Sequence, residues 1–334
     1  MTLVSACTSE NSSHALRGEA LGTTWSVRWQ GDSSLEDSIA DAVVAALTLV
    51  DGQMSTWRSD SELSAIRSSS EPVAVSEATA EVVRQALWLS EQTGGAFDPT
   101  VQPLVELWGF HGTPLTALPT PQEIETARAQ VDWRRVEVSH VDGQAVVNGG
   151  GTALDLSAIA KGYAVDRVSL AISELGIAQH LVEIGGEIRV SGPSPEGGLW
   201  SVGVEAPLAG NVPGSSLFGV VHAVNASVAT SGNYRQSRTV EGVEVHHTLD
   251  PRTGRPATSG VGSATVIAPT CALADGLATA LMVLGEEGLP LVERMEGVEA
   301  GLIWVDASGS RTELTSGFRL QVVTEPIQPN GSGH

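Results

Sequence analysis

One lysine stands in this chain of 334 residues, against seventeen arginines. Lys161 follows Asp155-Leu156-Ser157 at the start of a predicted helix. A helix N-terminus attracts phosphates, and a compact ammonium fits a tight polar site where a planar guanidinium does not. Codon bias that leaves an occasional lysine, and ordinary helix capping by Asp155 and Ser157, account for the same residues. The segment indicates a phosphate site and leaves the structural interpretation open.

Asp275 and Thr279 lie four residues apart in another predicted helix, so both side chains face the same way. A carboxylate, a hydroxyl and a backbone carbonyl form a partial ligand shell for Mg²⁺, which water or substrate phosphate completes. An acidic residue near a helix start is also common without a metal, because it interacts favourably with the helix dipole. Spacing alone therefore permits a metal site and does not require one.

His246 and His247 precede a turn that contains Arg252 and Arg255. Neighbouring side chains of an extended chain point to opposite faces, so at most one of these histidines can enter a given site. That histidine could act as a base, and the two arginines could bind phosphates in a bidentate manner. The intervening Asp-Pro-x-Thr-Gly sequence is also simply a favourable turn.

The pattern of apolar residues predicts an α+β fold, because helices and strands do not alternate strictly. A strand is predicted at 24–29, and a hairpin joins 136–138 to 145–147. The predicted helices begin near Ser33, Ser59, Ser76, Thr120, Ser157 and Ala272. The later strands are predicted at 180–190, 200–205, 219–224, 243–249, 262–267 and 301–305.

The composition is that of a globular protein, with 41% hydrophobic and 17% charged residues. The net charge of −21 argues against nucleic acid as a partner, because phosphate neutralisation needs basic patches. A polyphosphate ligand would need a divalent cation or a local basic pocket in so acidic a chain. The sequence contains no apolar run long enough to predict a transmembrane helix.

The N-terminus carries Val4-Ser5-Ala6-Cys7, which is similar to the lipobox of exported bacterial lipoproteins. The charged and apolar parts of a signal peptide do not precede it in this sequence. We expect residues 1–17 to be a lipobox-like start and a flexible tether, residues 18–325 a single functional domain, and residues 326–334 a disordered tail. The other cysteine, Cys271, is expected to be a small buried thiol.

Taken together and in order, these motifs resemble the ApbE-type flavin transferases. The segments that carry the resemblance are Leu21-Gly22-Thr23-Thr24, Met54-Ser55-Thr56-Trp57, Ser59-Asp60-Ser61-Glu62-Leu63, Gly94-Gly95-Ala96-Phe97-Asp98-Pro99-Thr100, Pro103-Leu104-Val105, Leu107-Trp108-Gly109-Phe110, 155–166, Ile184-Gly185-Gly186-Glu187, Thr230-Ser231-Gly232-Asn233-Tyr234-Arg235, 247–256, Ala268-Pro269-Thr270 and Ala274-Asp275. The resemblance covers about residues 18 to 325. It implies a two-lobed, T-fold-like domain with mixed or antiparallel sheets, flanking helices and an FAD site between the lobes.

The resemblance also implies an enzyme that transfers the FMN moiety of FAD to a threonine or serine hydroxyl of another protein. A phosphoester-linked flavin forms and AMP leaves, with Mg²⁺ required. The implied metal ligands are the carbonyl of Ala158 and the side chains of Asp275 and Thr279, and the implied catalytic residues are Asp275 and His247, the latter activating the acceptor hydroxyl. The implied FAD contacts are Leu21, Trp57, Ala96, Phe97, Asp98, Asp155, Lys161 and Ala257.

Two positions depart from the family pattern. Trp57 stands where many members have tyrosine, so its ring can still stack on flavin or adenine but lacks the hydroxyl. Ala278 stands where some members carry a second aspartate, which puts a second metal in doubt. Some relatives carry an acidic residue in place of Lys161, so this lysine is expected to tune FAD binding rather than perform the transfer.

Two other functions remain open at this level. The same site could hydrolyse FAD to FMN and AMP with water as the acceptor, or the chain could be a flavin-binding lipoprotein without catalysis. The implied acceptors are subunits of membrane redox complexes. The implied location is the periplasmic face of the bacterial inner membrane, reached only through a lipid anchor at Cys7.

Overall fold

The computed structural model describes residues 12–208, 216–234, 237–306 and 309–323. Cys7, Arg235 and the predicted tail 326–334 lie outside these ranges, so the lipid anchor and the tail stay predictions. Within the described ranges, no helix is long and apolar enough to cross a bilayer.

The described helices vary from one turn to five. They are α1 (Glu36–Met54), α2 (Glu62–Ser68), α3 (Glu77–Gln92), α4 (Gln102–Leu107), α5 (Pro121–Arg128), α6 (Ser157–Glu174), α7 (Cys271–Leu284) and α8 (Leu289–Val292). Thr120 and Glu123 form a complete capping box at α5, and Ser76 caps α3, both as predicted. The caps near α1 and α2 differ from prediction, since Asp32 and Ser61 supply the capping oxygens.

The strands are short, and every described pairing is antiparallel. They are β1 (Ser13–Ala20), β2 (Thr23–Gln30), β3 (Val73–Ala74), β4 (Glu137–Val141), β5 (Gln144–Asn148), β6 (His180–Ile184), β7 (Glu187–Ser191), β8 (Trp200–Glu205), β9 (Leu217–Ala223), β10 (Ala226–Gly232), β11 (Ser237–Val240), β12 (Val243–His246), β13 (Leu249–Asp250), β14 (Arg255–Pro256), β15 (Ser263–Ala268), β16 (Glu299–Asp306), β17 (Gly309–Leu314) and β18 (Leu320–Val322). The predicted α+β class is confirmed.

An eight-stranded sheet in the order β1-β2-β6-β7-β10-β15-β16-β17 forms the centre of the molecule. Helices α1, α6 and α7 pack on one face of it around the main hydrophobic core. The small sheet β18-β9-β8 packs on the opposite face around Trp200 and Val221. Val228 and Ala229 show this division, because these neighbours on β10 point into the two different cores.

Several sequence-based predictions need correction. Residues 13–17 are not a tether, because they belong to β1, which pairs along its whole length with β2. The predicted strands 180–190 and 243–249 are each broken, the first at Gly185 and Gly186, which both have positive φ angles. Strand β10 was missed because its residues are mostly small and polar, yet β7 and β15 pair with it on both sides.

Candidate functional site

A cavity of about 530 Å³ opens at the edge of the helical layer. It is lined by all but one of the site residues that the family resemblance implied: Leu21, Trp57, Ala96, Phe97, Asp98, Asp155, Ala158, Lys161, His247, Asp275 and Thr279. Ala257 is the exception. Its N–H donates to the carbonyl of Thr248 at 3.0 Å and its carbonyl contacts His246 Nε2 at 3.0 Å, so its backbone holds the neighbouring loop together.

One side of the cavity is built from α6 and α7; we call Asp155, Ala158, Lys161, Asp275 and Thr279 the helix wall. The two helices approach closely at Gly162, where an added Cβ would lie 2.3 Å from the carbonyl oxygen of Cys271. Only glycine permits this approach. It brings Asp275, on α7, to the first turns of α6.

Asp275 is nearly fully buried, with 4% of its surface exposed, and its Oδ2 accepts a hydrogen bond from the N–H of Gly162 at 3.0 Å. In a regular helix that N–H is the donor for the carbonyl of Ala158, four residues earlier. The carbonyl of Ala158 therefore shares or loses its normal partner and is available to a ligand. Thr279 lies one turn beyond Asp275, with its hydroxyl 3.3 Å from that of Ser231.

These oxygens fit a hard divalent cation better than a transition metal. A carboxylate, a hydroxyl and a carbonyl are ligands that Mg²⁺ accepts, with water or phosphate completing its shell. Among the described residues, no group of three or more His, Cys, Asp or Glu side chains could hold a metal. A cation at the helix wall would therefore depend on substrate oxygens as well.

Lys161 connects two buried carboxylates. Its Nζ lies 2.5 Å from Oε1 of Glu187, at the start of β7, and the charge of Asp275 also acts on it. Burial lowers the pKa of Lys161, but the two carboxylates outweigh this effect and raise the pKa above its ordinary value. Burial raises the pKa of Glu187 to about 7 although Lys161 opposes this, and burial likewise raises that of Asp275.

Asp98 and Asp155 stabilise the backbone around the cavity. Asp98 accepts hydrogen bonds from Thr100 and from the N–H of Trp133, and burial raises its pKa. Asp155 accepts from the N–H of Ser157 at 2.8 Å. The residue before α6 is Leu156, which forms no side-chain cap, so Asp155 orders this helix start through the turn before it.

Another part of the cavity lining consists of loop residues; we call Thr56, Trp57, Phe110, His111 and His247 the loop wall. The indole of Trp57 is 77% exposed and its ring centroid lies 4.3 Å from that of His111. The ring of Phe110 meets that of His247 edge-on at 6.3 Å. The cavity lining therefore combines flat side chains of the loop wall with charged groups of the helix wall.

The paired histidines separate as predicted. His247 lines the cavity, whereas His246 lies away from it, and burial lowers the pKa of His246. The predicted phosphate clamp is wrong, because Arg252 and Arg255 lie outside the cavity lining and Arg252 makes two hydrogen bonds to the carboxylate of Asp250, both 2.9 Å.

Sequence reasoning missed Glu187, Thr23 and His111 as lining residues. The signal for Glu187 was the Gly185-Gly186 pair, which turns the chain so that β7 begins at the cavity. Leu21 carries a second signal: it has a φ of 52° and forms, with Gly22, the two-residue turn between β1 and β2. Such left-handed conformations at non-glycine residues often mark functional sites. Cys271 is buried, which confirms the predicted buried thiol, and burial raises the pKa of that thiol.

Comparisons with known proteins find relatives that match almost the whole chain. An FAD:protein FMN transferase of Vibrio cholerae is 36% identical over 326 residues, 96% of this chain and 96% of the relative. One of Salmonella typhimurium is 34% identical over 95% of this chain and 92% of its own. The solved structure of the flavin transferase ApbE from Vibrio cholerae covers 91% of this chain and 97% of its own, with 36% identity and a TM-score of 0.80.

A second solved structure, an ApbE protein from Thermotoga maritima, covers the same 91% of this chain and 97% of its own, at 32% identity and a TM-score of 0.79. The model of the ApbE family matches residues 21–302, which include every residue of both cavity walls. The chain therefore belongs to the ApbE family.

Proposed function

We propose that this chain transfers the FMN moiety of FAD to a threonine or serine hydroxyl of an acceptor protein and releases AMP. The relatives named above are FAD:protein FMN transferases. The observation that carries the proposal is that Asp275, Thr279, Lys161 and His247 line one cavity whose lining also includes aromatic rings. A flavin needs flat apolar surfaces, and its diphosphate needs positive charge.

Asp275, Thr279 and the carbonyl of Ala158 would hold Mg²⁺. When bound there, it would neutralise charge on the diphosphate of FAD. Two features support these ligands: Asp275 is already ordered by the N–H of Gly162, and that N–H is the regular helical partner of the carbonyl of Ala158, which now has to share it or lose it. Ala278, next to Thr279, offers no carboxylate for a second cation.

The remaining site residues would bind and orient FAD. The ammonium of Lys161 would lie beside the diphosphate, and Trp57 would stack on a ring. The backbone around Leu21, Ala96, Phe97, Asp98 and Asp155 would form the rest of the FAD contacts. This placement is what in-line phosphoryl transfer requires, because the protein mainly positions the reacting groups.

His247 would accept the proton of the acceptor hydroxyl. The hydroxyl oxygen forms a bond to the phosphorus of the FMN half, the bond from that phosphorus to the oxygen bridging to AMP breaks, and AMP leaves with the negative charge. The position of His247 in the lining of the same cavity as Asp275 and Thr279 supports this role.

The test is co-expression with a candidate acceptor, a membrane subunit of a redox complex, followed by mass spectrometry of the acceptor. We expect an added FMN mass on one threonine or serine, and its loss with His247→Gln although FAD still binds. Free FMN and AMP without the adduct would show an FAD pyrophosphatase instead. FAD that stays intact for hours with Mg²⁺ would show a flavin-binding protein without catalysis.

We further propose that Cys7 anchors the protein by a lipid to the periplasmic face of the inner membrane. The lipobox-like Val4-Ser5-Ala6-Cys7 supports this. Incorporation of labelled palmitate that is lost in Cys7→Ala is the expected result, and equal labelling of the two proteins contradicts it.

A further inference from the structure

Lys161 has an unusual position in the charge pattern of the cavity. Among the described residues that line it, Lys161 alone carries a permanent positive charge, in a chain of net charge −21. Its side chain is 34% exposed and lines the cavity. An anionic ligand thus depends on where this one flexible side chain places its charge.

Glu187 determines that position. Its Oε1 lies 2.5 Å from Nζ of Lys161, its side chain is only 5% exposed, and Oε2 has no hydrogen-bond partner among the described residues. A buried carboxylate is costly unless it is paired, and Lys161 is the side chain that pairs with this one. We therefore attribute the burial of Glu187 to its ion pair with Lys161 rather than to the packing of the hairpin.

Glu183, in the same hairpin, shows what a structural glutamate looks like here. Its Oε1 accepts from the N–H of Gly186 at 2.9 Å and its Oε2 from the hydroxyl of Ser26 at 3.1 Å. Both oxygens are engaged within the sheet, and Glu183 does not line the cavity. The two glutamates are only four residues apart in sequence, yet they have different partners.

We propose that Glu187 is a positioning residue, which holds the ammonium of Lys161 toward the cavity for the diphosphate of FAD and keeps it from pairing with Asp275. This rests on the proposed function for the identity of the ligand. Lysine has many rotamers, so without Glu187 its charge would spread over several positions. The charge of Asp275 also acts on Lys161, and an ion pair between the two would occupy a ligand needed for the cation.

The experiment uses the fact that the chain has one lysine. Protein labelled with ¹⁵N-lysine gives a single Nζ signal, recorded with and without FAD. In the wild type we expect a hydrogen-bonded ammonium signal that shifts when FAD binds. In Glu187→Gln we expect the signal of the ligand-free protein to be lost to fast exchange with water.

FAD affinity is measured in parallel for Glu187→Gln, Lys161→Met and the double variant. We expect Glu187→Gln to raise the Kd by about tenfold, the size of a charged hydrogen bond. The double variant should bind no worse than Lys161→Met alone, because both changes remove the same interaction. Glu183→Gln is the matched control and should leave the Kd and the Nζ signal unchanged, even if it lowers the Tm.

Three results would overturn the inference: wild-type affinity in Glu187→Gln, additive losses in the double variant, or an equal loss in Glu183→Gln. A fourth result would overturn the inference whatever the FAD affinities are: an Nζ signal of the ligand-free protein that is the same in the wild type and in Glu187→Gln. If FAD binds with the expected coupling but no acceptor is flavinylated, the proposed function fails and the role of Glu187 stands.

Discussion

The helix wall and the loop wall of the cavity are built in opposite ways. Asp275 on the helix wall is 4% exposed and is held by α6, whereas Trp57 on the loop wall is 77% exposed and contacts mainly His111. A residue ordered by two packed helices keeps its geometry before any ligand arrives. A residue on a surface loop can adapt to the shape of what binds.

This contrast indicates that the two walls have different roles. Charge neutralisation depends strongly on distance and direction, so groups that do it must be preorganised. Stacking on a flat ring tolerates small shifts, and an exposed indole can make it without a rigid frame. Changes to the helix wall should therefore affect the transfer reaction most, and changes to the loop wall should affect affinity.

The largest effect is expected for Asp275→Asn. The amide can still accept from Gly162 but supplies no charge, so we expect transfer to fall by about 100-fold or more. Stability should be unchanged or higher, because burial disfavours the carboxylate. FMN adducts by mass spectrometry and the Tm are the measurements.

Asp166→Asn is the control for this prediction. Like Asp275, Asp166 is a carboxylate that joins α6 to α7, but it lies on α6, accepts from the N–H groups of Cys271 and Ala272 and pairs with Arg189, outside the cavity. Asp166→Asn should lower the Tm and leave the rate of FMN transfer per folded molecule unchanged. If Asp275→Asn transferred FMN at the wild-type rate, the helix wall would not take part in the reaction as proposed.

Gly162→Ala tests whether the close approach of α6 and α7 is required. The new Cβ would meet the carbonyl of Cys271, so we expect a loss of about 2 kcal/mol in the free energy of unfolding. Gly52→Ala in α1, where nothing lies within 4 Å, should instead stabilise by about 0.5–1 kcal/mol. Urea unfolding measures both, and equal values would contradict the packing argument.

A pH response should come from the framework beneath the helix wall. His180 is fully buried, contacts Ser169 of α6, and burial lowers its pKa to about 4 from the ordinary 6.5. Between these values the unfolded chain binds the proton and the folded one does not, so stability falls as pH drops from 6.5 toward 4. We expect about 1–2 kcal/mol lost by pH 5.

The comparison for this pH response is His180→Gln, measured by urea unfolding at pH 7.5 and 5. Its stability should depend less on pH than that of the wild type over this interval. Raised carboxyl pKa values, such as that of Asp166, have the opposite effect on the pH dependence of stability, and they are present in both the wild type and His180→Gln. An identical pH dependence would exclude His180 as the source.

The smallest effect is expected on the loop wall. Trp57→Ala should raise the Kd for FAD by about fivefold through lost stacking, and Trp57→Phe should restore most of it. The Tm should not change, because the indole is mostly in solvent. Titration of FAD fluorescence checks the affinity, and a clear drop in the Tm of Trp57→Ala would show that the loop wall is structural after all.

Local spacing predicted part of this site correctly. Asp275 and Thr279 share a face because helix geometry relates residues four apart, and only one of His246 and His247 enters the cavity because extended neighbours alternate. The helices near the site also began close to their predicted residues. These relations involve a few consecutive residues, so the sequence contains them directly.

Other features depend on long-range pairing. Strand β10 has little strand propensity of its own and forms because β7 and β15 supply hydrogen bonds on both sides. Arg252 could have bound phosphate according to the sequence, yet it forms an ion pair with the nearby carboxylate of Asp250 instead. A propensity or a charge indicates what a residue can do, and its neighbours in space decide which partner it takes.

The sequence by itself determined the types of chemistry available: a single ammonium, hard oxygen ligands one helical turn apart, and a histidine at a turn. Only the tertiary structure decided that they converge. Lys161 and Glu187 are 26 residues apart, and Gly162 and Asp275 are 113 apart. Such contacts exist because α6 packs at once on the sheet and on α7, and burial of apolar surface, not local spacing, sets that arrangement.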